Sequence, residues 1–445
     1  MGTYYIQNFG CRAAQSDGAA LGSLLGRDGM VPAPESRAAD LVVLNTCTVT
    51  AAADDDVRQT LRRVRRENPG ARILVTGCYA QRAPEELAAM PGVVWVVGNT
   101  HKGRIPEIIA RTKSEARTGG EIHIGDAIGQ REFLAAPVEE AAGDRTRPNL
   151  KIQDGCSNRC SFCIIPFVRG RSRSMAADEV VAQVRDLAGK YREVVLSGVN
   201  LGRWGREPSS KVRLADLLRR LLRETEVERL RLSSVEPMDW SDALLELAAG
   251  SPRIAKHVHA PMQSGSDEVL RRMRRKYRSR HYAHRIRKAR RLMPGAAIGA
   301  DVMVGFPGET DEEFEESRGF IESLPITYLH VFTYSARPGT PAAVAGEQVP
   351  MGVRKERNRV LRELAAAKNL EFRKGFLGRR LSVVTLGQER RALSGNYIQV
   401  ELARPRPANE IVEVEVDGIT SRGMRENRCV CWAAPDGGAR GKRRE

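Results

Sequence analysis

The chain has 445 residues, enough for about three domains that each bury a core, and its 72 Lys and Arg against 55 Asp and Glu give a formal charge of +17. An excess of that size points to a polyanionic partner such as nucleic acid, with an arginine-rich proteome as the plain alternative. No apolar stretch is long enough to span a bilayer, the opening MGTYYIQNFG lacks the basic start and apolar run of an export signal, and the eight cysteines read as ligands or free thiols of a reducing cytoplasm rather than disulfides.

Over the first 150 residues short apolar runs alternate with amphipathic ones, the pattern of a parallel sheet flanked by helices. Strands are predicted at TYYIQNF, DLVVLNT, ARILVTG and VVWVVGN, and helices around 15–27, 54–66, 83–90 and 102–112. Cys11, Cys47 and Cys78 each follow one of the first three strands, in the contexts NFGC, LNTC and VTGC. The carboxyl ends of parallel strands share one sheet edge, so these thiols, 36 and 31 residues apart, are expected to converge into a three-thiolate site. The bland alternative is three separate small hydrophobes. Asn8, Asn45 and Thr46 are expected to serve such a site by hydrogen bonds or to cap the following turns. Residues 113–148, rich in Glu, Arg, Ala and Pro, read as a connecting segment.

Next comes KIQDGCSNRCSFCIIPF, where Cys156, Cys160 and Cys163 stand in CxxxCxxC spacing with no fourth cysteine or histidine nearby. A structural zinc site closes with four protein ligands, whereas an iron–sulfur cluster on three thiolates keeps one iron open to a small molecule. Phe162 offers an aromatic face beside such a cluster, or simply packs in the loop. Six strand candidates follow: NLKIQ, EVVLSGV, RLRLSSV, AKHVHAP, AIGADVMVG and ITYLHVFTY. They alternate with helices at 176–188, 214–223, 241–249, 266–292 (broken near 277–280) and 311–323, which favours an open (βα)6 partial barrel over a full eight. The strand ends are polar, carrying Gly198 and Asn200, then Ser234 and Glu236, then His259 and Gln263, then Asp301. Gly198, with Gly202 and Gly205, also fits an ordinary turn, and His259 reads as structural or substrate-facing rather than as a metal ligand. Thr310 or Asp311 is expected to cap the helix after GFPGET. The arginine-rich stretch 271–291 reads as an exposed helix face able to track a phosphate backbone.

A helix over 351–375 precedes a change to β character. RRLSVVTLG, ALSGNYIQVELA and NEIVEVEVDGITSRGM predict a small five-stranded barrel of a kind that binds single-stranded or looped nucleic acid. From 376 onward thirteen Lys or Arg face nine Asp or Glu. Cys429 and Cys431 form a CxC read as incidental thiols, and GGARGKRRE as a disordered basic tail. The parts are placed at 1–140, 141–375 and 376–445.

The loop CSNRCSFC resembles the CxxxCxΦC signature of the radical S-adenosylmethionine enzymes, with Phe162 at the aromatic position Φ. The segments FGCRAAQSD, LNTCTVT and TGCYAQ resemble the amino-terminal domain of the methylthiotransferases within that superfamily. The resemblance covers nearly the whole chain and departs after Cys11, where the family commonly has Asn two or three residues on and this chain runs Arg12, Ala13, Ala14, Gln15; that departure bears on packing around Cys11. The carboxyl-terminal segment resembles a TRAM domain. The resemblance implies two four-iron four-sulfur clusters. One, on Cys156, Cys160 and Cys163, would cleave S-adenosyl-L-methionine to a 5′-deoxyadenosyl radical. The other, on Cys11, Cys47 and Cys78, would present a sulfur that is methylated and transferred. It also implies cofactor contacts at Phe162, Gly198, Asn200, Ser234 and Glu236.

NTCTVT and SSVEP look most like the branch acting on carbon 2 of N6-threonylcarbamoyladenosine beside the tRNA anticodon. The other branches act on isopentenyladenosine or on an aspartate of a ribosomal protein. The implied partners are the tRNA anticodon stem-loop and a flavodoxin- or ferredoxin-type electron donor, for a cytoplasmic, monomeric enzyme with no membrane association. A rival of another class is a non-catalytic iron–sulfur RNA-binding redox regulator.

Overall fold

A computed structural model of the chain describes residues 2–111, 119–130, 133, 146–207, 210–387 and 390–427. Strands β1 (Thr3–Asn8), β2 (Val31–Pro32), β3 (Leu41–Thr46), β4 (Arg72–Gly77), β5 (Val93–Val97) and β6 (Glu121–His123) form one parallel sheet in the order β2-β1-β3-β4-β5-β6. The four predicted strands are its middle. The edge strands β2 and β6 were not expected, and β6 lies inside the stretch read as a connector, because two or three residues are too few to show alternation. The middle strands are near-continuous apolar runs because helices cover both faces. Val42, Leu44, Ile73 and Val75 pack against Val57, Leu61 and Tyr79 on one side. Leu41, Val43, Leu74 and Trp95 pack against Leu21, Leu25 and Ile105 on the other.

The six predicted barrel strands are β7 (Asn149–Asp154), β9 (Glu193–Gly198), β10 (Arg229–Leu232), β11 (His257–His259), β12 (Ala297–Val304) and β13 (Tyr328–Thr333); a short β8 (Arg173–Ser174) pairs antiparallel with β7. One sheet runs β10-β9-β7-β8 and another β11-β12-β13. The parallel bridge Leu230↔Ile254 and the bond from Val235 N–H to the His259 carbonyl, 3.1 Å, join them into the open barrel. The break in 266–292 is present but begins earlier than expected, at 273–278, between the helices Asp267–Arg272 and Ser279–Leu292. Thr310, not Asp311, caps the helix Asp311–Ser323: its Oγ1 accepts the Glu313 N–H at 3.2 Å while Glu313 Oε2 accepts the Thr310 N–H at 3.0 Å. Along β10, Leu230 and Leu232 enter the core beneath the helices, while Arg231 faces the barrel interior beside His257, His259, Asp301 and Tyr328.

After the helix Met351–Lys374, strands β14 (Arg379–Thr385), β15 (Arg391–Ser394), β16 (Gln399–Glu401), β17 (Ile411–Ile419) and β18 (Met424–Glu426) close a five-stranded barrel in the order β14-β15-β16-β18-β17. Cys429, Cys431 and the basic tail lie outside the described residues. No described helix is long and apolar enough to cross a membrane.

The small barrel is hooked to the large one through a buried carboxylate. Glu193 takes Arg231 Nε at 2.7 Å and Arg147 Nη1 at 3.3 Å, and Arg231 Nη2 donates onward to the Ser394 carbonyl at 2.9 Å. Burial alone would raise the Glu193 pKa, but Arg231, Arg147 and Arg229 outweigh it and bring it down to about 2. A carboxyl depressed in the folded state stabilises fully above its unfolded pKa and loses that contribution as pH falls through the folded value. Glu193→Gln is therefore expected to lower thermal stability at pH 7, with the gap to wild type closing as pH falls from about 4.5 towards 2. Melting curves across that range check it; a gap independent of pH would show that the charge is not what holds the junction.

Candidate functional site: two thiol trios on one cleft

In the first sheet β1, β3 and β4 are adjacent and in register, with Asn8 opposite Asn45, Asn45 opposite Thr76, and Thr46 opposite Gly77. Cys47 and Cys78 are the next residues on neighbouring strands, and Cys11 follows the Gly10 turn. Gly10 has φ +82°, and a side chain there would collide with Cβ and Sγ of Cys47. Gly77, at φ +102°, would likewise drive a side chain into the Thr46 backbone. The three thiols thus meet at one sheet corner. The Cys47 thiol is pushed up to about 12, by burial first and then by Cys78 and Cys11.

Asn8, Asn45 and Thr46 serve the scaffold rather than the thiols. Asn45 Nδ2 donates to Asn8 Oδ1 at 2.8 Å and to the Ala14 carbonyl at 2.5 Å, and Thr46 Oγ1 donates to the Thr76 carbonyl at 2.6 Å. The packing question raised by Ala13 and Ala14 is answered in the same place: both are buried, and Asn45 binds the backbone there.

The donors that do reach sulfur come from elsewhere. Arg169 Nε lies 3.2 Å from Cys78 Sγ, and Asn99 Nδ2 lies 3.6 Å from it. Arg169, fully buried, is held by Asp17 Oδ2 at 2.8 Å and Asp154 Oδ1 at 3.0 Å. It sits six residues beyond Cys163, in PFVRGR, and only that closeness to the motif hints at its role in the sequence.

Cys156, Cys160 and Cys163 ride a loop between β7 and the short helix Ile165–Arg169, closed by the bond from Cys163 N–H to the Cys160 carbonyl at 3.1 Å. Cys156 Sγ accepts from Asn158 N–H at 3.4 Å and Asn200 Nδ2 at 3.7 Å. Cys160 Sγ accepts from Arg275 Nη1 at 3.2 Å, and Arg275 also pairs with Glu236. The Cys163 thiol is pushed up to about 12 by burial and then by Cys160. Arg275 belongs to the stretch read as a phosphate-tracking face, yet its side chain is 5 % exposed; Tyr277 and Tyr282 are buried too. That face is therefore split, with one arginine turned inward to the thiols and others, such as Arg274 and Arg287, left in solvent.

A cleft of about 490 Å³ is lined by Cys11 of the first trio and by Cys156, Cys160 and Cys163 of the second. Phe162, Gly198, Asn200, Ser234 and Glu236 all line it, as do His259, Gln263 and Asp301. Phe162 also packs edge-on to Phe306, with ring centres 6.5 Å apart. His259 Nε2 and His330 Nδ1 approach Asp301 Oδ1 at 3.2 and 3.1 Å. Burial would raise the Asp301 pKa, but the two imidazoles outweigh it and hold the carboxyl below the usual range. The small barrel adds Tyr397, in the left-handed region at φ 65°, stacked on His257 with ring centres 4.4 Å apart. Sequence reading missed Tyr397, since nothing local marks it.

The donor chemistry of each trio can be tested against a single metal ion. Zinc with 2.3 Å bonds to sulfur needs thiolates about 3.8 Å apart. Among the described residues, the one group of His, Cys, Asp or Glu whose ligand atoms lie within 4.8 Å of one another is His259, Asp301 and His330. Neither cysteine trio closes that tightly. Three soft thiols set wider than one ion requires suit a cluster.

Residues 150–321 match the family model of the radical SAM superfamily, and residues 3–98 match that of the uncharacterized protein family UPF0004. The chain is 42% identical to the threonylcarbamoyladenosine tRNA methylthiotransferase MtaB of Bacillus subtilis (strain 168), over 80% of this chain and 79% of that protein. It is 36% identical to MtaB of Aquifex aeolicus (strain VF5), over 92% and 98%. It is also 36% identical to the tRNA-2-methylthio-N(6)-dimethylallyladenosine synthase of Anaeromyxobacter sp. (strain K), over 98% and 89%. Among solved structures, the radical S-adenosylmethionine methyltransferase TsrM from Kitasatospora setae shares the fold at TM-score 0.55 and 16% identity, with 77% of each chain covered.

Proposed function

The chain belongs to the radical S-adenosylmethionine tRNA methylthiotransferases, and we propose that it adds a methylthio group to carbon 2 of N6-threonylcarbamoyladenosine in the anticodon stem-loop of tRNA. The carrying observation is the shared cleft, with Cys11 of one trio and all three thiols of the other on its walls. The cofactors of the family are two four-iron four-sulfur clusters and S-adenosyl-L-methionine, which when bound supply the electron, the radical and the sulfur that an unactivated aromatic C–H demands.

Cys156, Cys160 and Cys163 would hold the cluster that meets S-adenosylmethionine, and Cys11, Cys47 and Cys78 the other. The remaining roles follow from position. Arg275 fixes Cys160 and Glu236 at once, so the loop thiol and a carboxylate of the cleft keep one spacing. Gln153 Oε1 accepts the Asn200 N–H at 2.6 Å, which sets the strand-end turn where Asn200 reaches Cys156. Phe162, Gly198, Ser234 and Glu236 shape the cofactor's side of the cleft, and Tyr397 closes part of its far wall. Arg169 places a buried positive charge beside Cys78 Sγ. The small barrel is assigned to hold the RNA, and the enzyme to work in the cytoplasm as a monomer fed by a flavodoxin- or ferredoxin-type donor.

Nucleoside mass spectrometry of tRNA from a deletion strain is expected to show threonylcarbamoyladenosine without its methylthio group, restored by the wild-type gene. Loss of the group from dimethylallyladenosine instead would move the enzyme to the neighbouring branch. Unchanged tRNA would reject the assignment.

A further inference from the structure

The charges around the base-side wall of the cleft do not balance. Glu193 is shared by Arg147, Arg229 and Arg231, and Asp301 by two histidines. Arg12 joins this wall with its side chain half-buried, and no described carboxylate lies within ion-pair distance of it. Arg147, His257 and Tyr328 lie close enough to feel its charge. His257 is held well below the usual imidazole range, by burial first and then by Arg231, His259 and Arg12, so it adds no positive charge of its own. A guanidinium with no carboxylate partner, open to a cavity, is a site for an anion from outside the chain.

We infer that Arg12 is the specificity residue that reads the carboxylate of the substrate's N6 substituent. This rests on the substrate reading above and deepens it. A threonylcarbamoyl group ends in a carboxylate, which a guanidinium can take in a bidentate pair, whereas a dimethylallyl group is apolar and leaves the half-buried Arg12 without a partner. N6 is attached to carbon 6 of the same six-membered ring that carries carbon 2. Holding the substituent next to Cys11 therefore also fixes the ring in the cleft between the trios.

The test measures binding to full-length, anaerobically reconstituted enzyme of anticodon stem-loops that differ at one base: threonylcarbamoyladenosine, its neutral methyl ester, or dimethylallyladenosine. Wild type is expected to bind the free acid about ten- to a hundredfold more tightly than either neutral base, the range for a charge-assisted pair. Arg12→Gln is expected to bring the free acid down to the level of the other two, and Arg12→Lys to keep part of the preference. Iron and sulfide content of each variant checks the adjacent Cys11 site, and the ester arm needs no variant at all. Equal loss on all three stem-loops would make Arg12 a phosphate contact and overturn the inference. So would a free-acid preference that survives Arg12→Gln, or wild type binding acid and ester alike. Wild type that prefers dimethylallyladenosine to both would instead reject the substrate reading.

Discussion

Cys160→Ala is expected to abolish 5′-deoxyadenosine formation and methylthio transfer together, while Cys47→Ala is expected to abolish transfer and leave S-adenosylmethionine cleavage in place. The separation follows from where the thiols sit. Cys160 belongs to the loop whose neighbours are Asn200, Glu236 and Arg275, the polar groups proposed to face the cofactor. Cys47 is buried at the corner of the other sheet and meets Cys11 and Cys78, not the loop. With three thiolates per cluster, losing one should empty that site alone, so each variant should hold about half the wild-type iron. Iron and sulfide analysis, anaerobic chromatography for 5′-deoxyadenosine and mass spectrometry of the tRNA product together read the result. Cleavage lost in both variants would mean that the trios form a single interdependent centre.

Asp17→Asn is expected to destabilise the protein by about 3–5 kcal/mol, the cost of stripping one partner from a buried ionic network. Asp17 lies on the helix Arg12–Arg27, at the seam between the first sheet and the large barrel. Its carboxylate takes Lys102 at 2.9 Å, Arg169 at 2.8 Å and Lys151 as well. Asp154 shares Lys151 and Arg169 and adds Arg173 at 3.3 Å. Burial would raise the Asp17 pKa, but Lys102, Lys151 and Arg169 more than offset it and hold the carboxyl well below the usual range. The stabilisation is then complete at neutral pH and disappears only in strong acid, far below the unfolded value near 3.8. Arg169 would lose one of its two anchors, so the donor to Cys78 should loosen as well. Chemical denaturation at pH 7 measures the first effect, and iron content after reconstitution the second. A loss under about 1 kcal/mol, within the range of exposed pairs, would show the network to be incidental.

What the chain's own order determined is considerable: the central strands, the partial barrel, the terminal five-stranded barrel and both cysteine sets. These depend on short-range pattern, on apolar periodicity within one segment, on a ligand spacing of three or four residues, or on a thiol placed just after a strand. Periodicity says which face is buried but not what it meets, and only the tertiary structure decided the rest. Asp17 finds Lys151 across 134 positions, Arg275 finds Cys160 across 115, and Tyr397 arrives from another barrel to stack on His257. Charged and aromatic residues of this kind look like ordinary surface in a sequence, because their burial is made tolerable only by partners that folding brings from far along the chain.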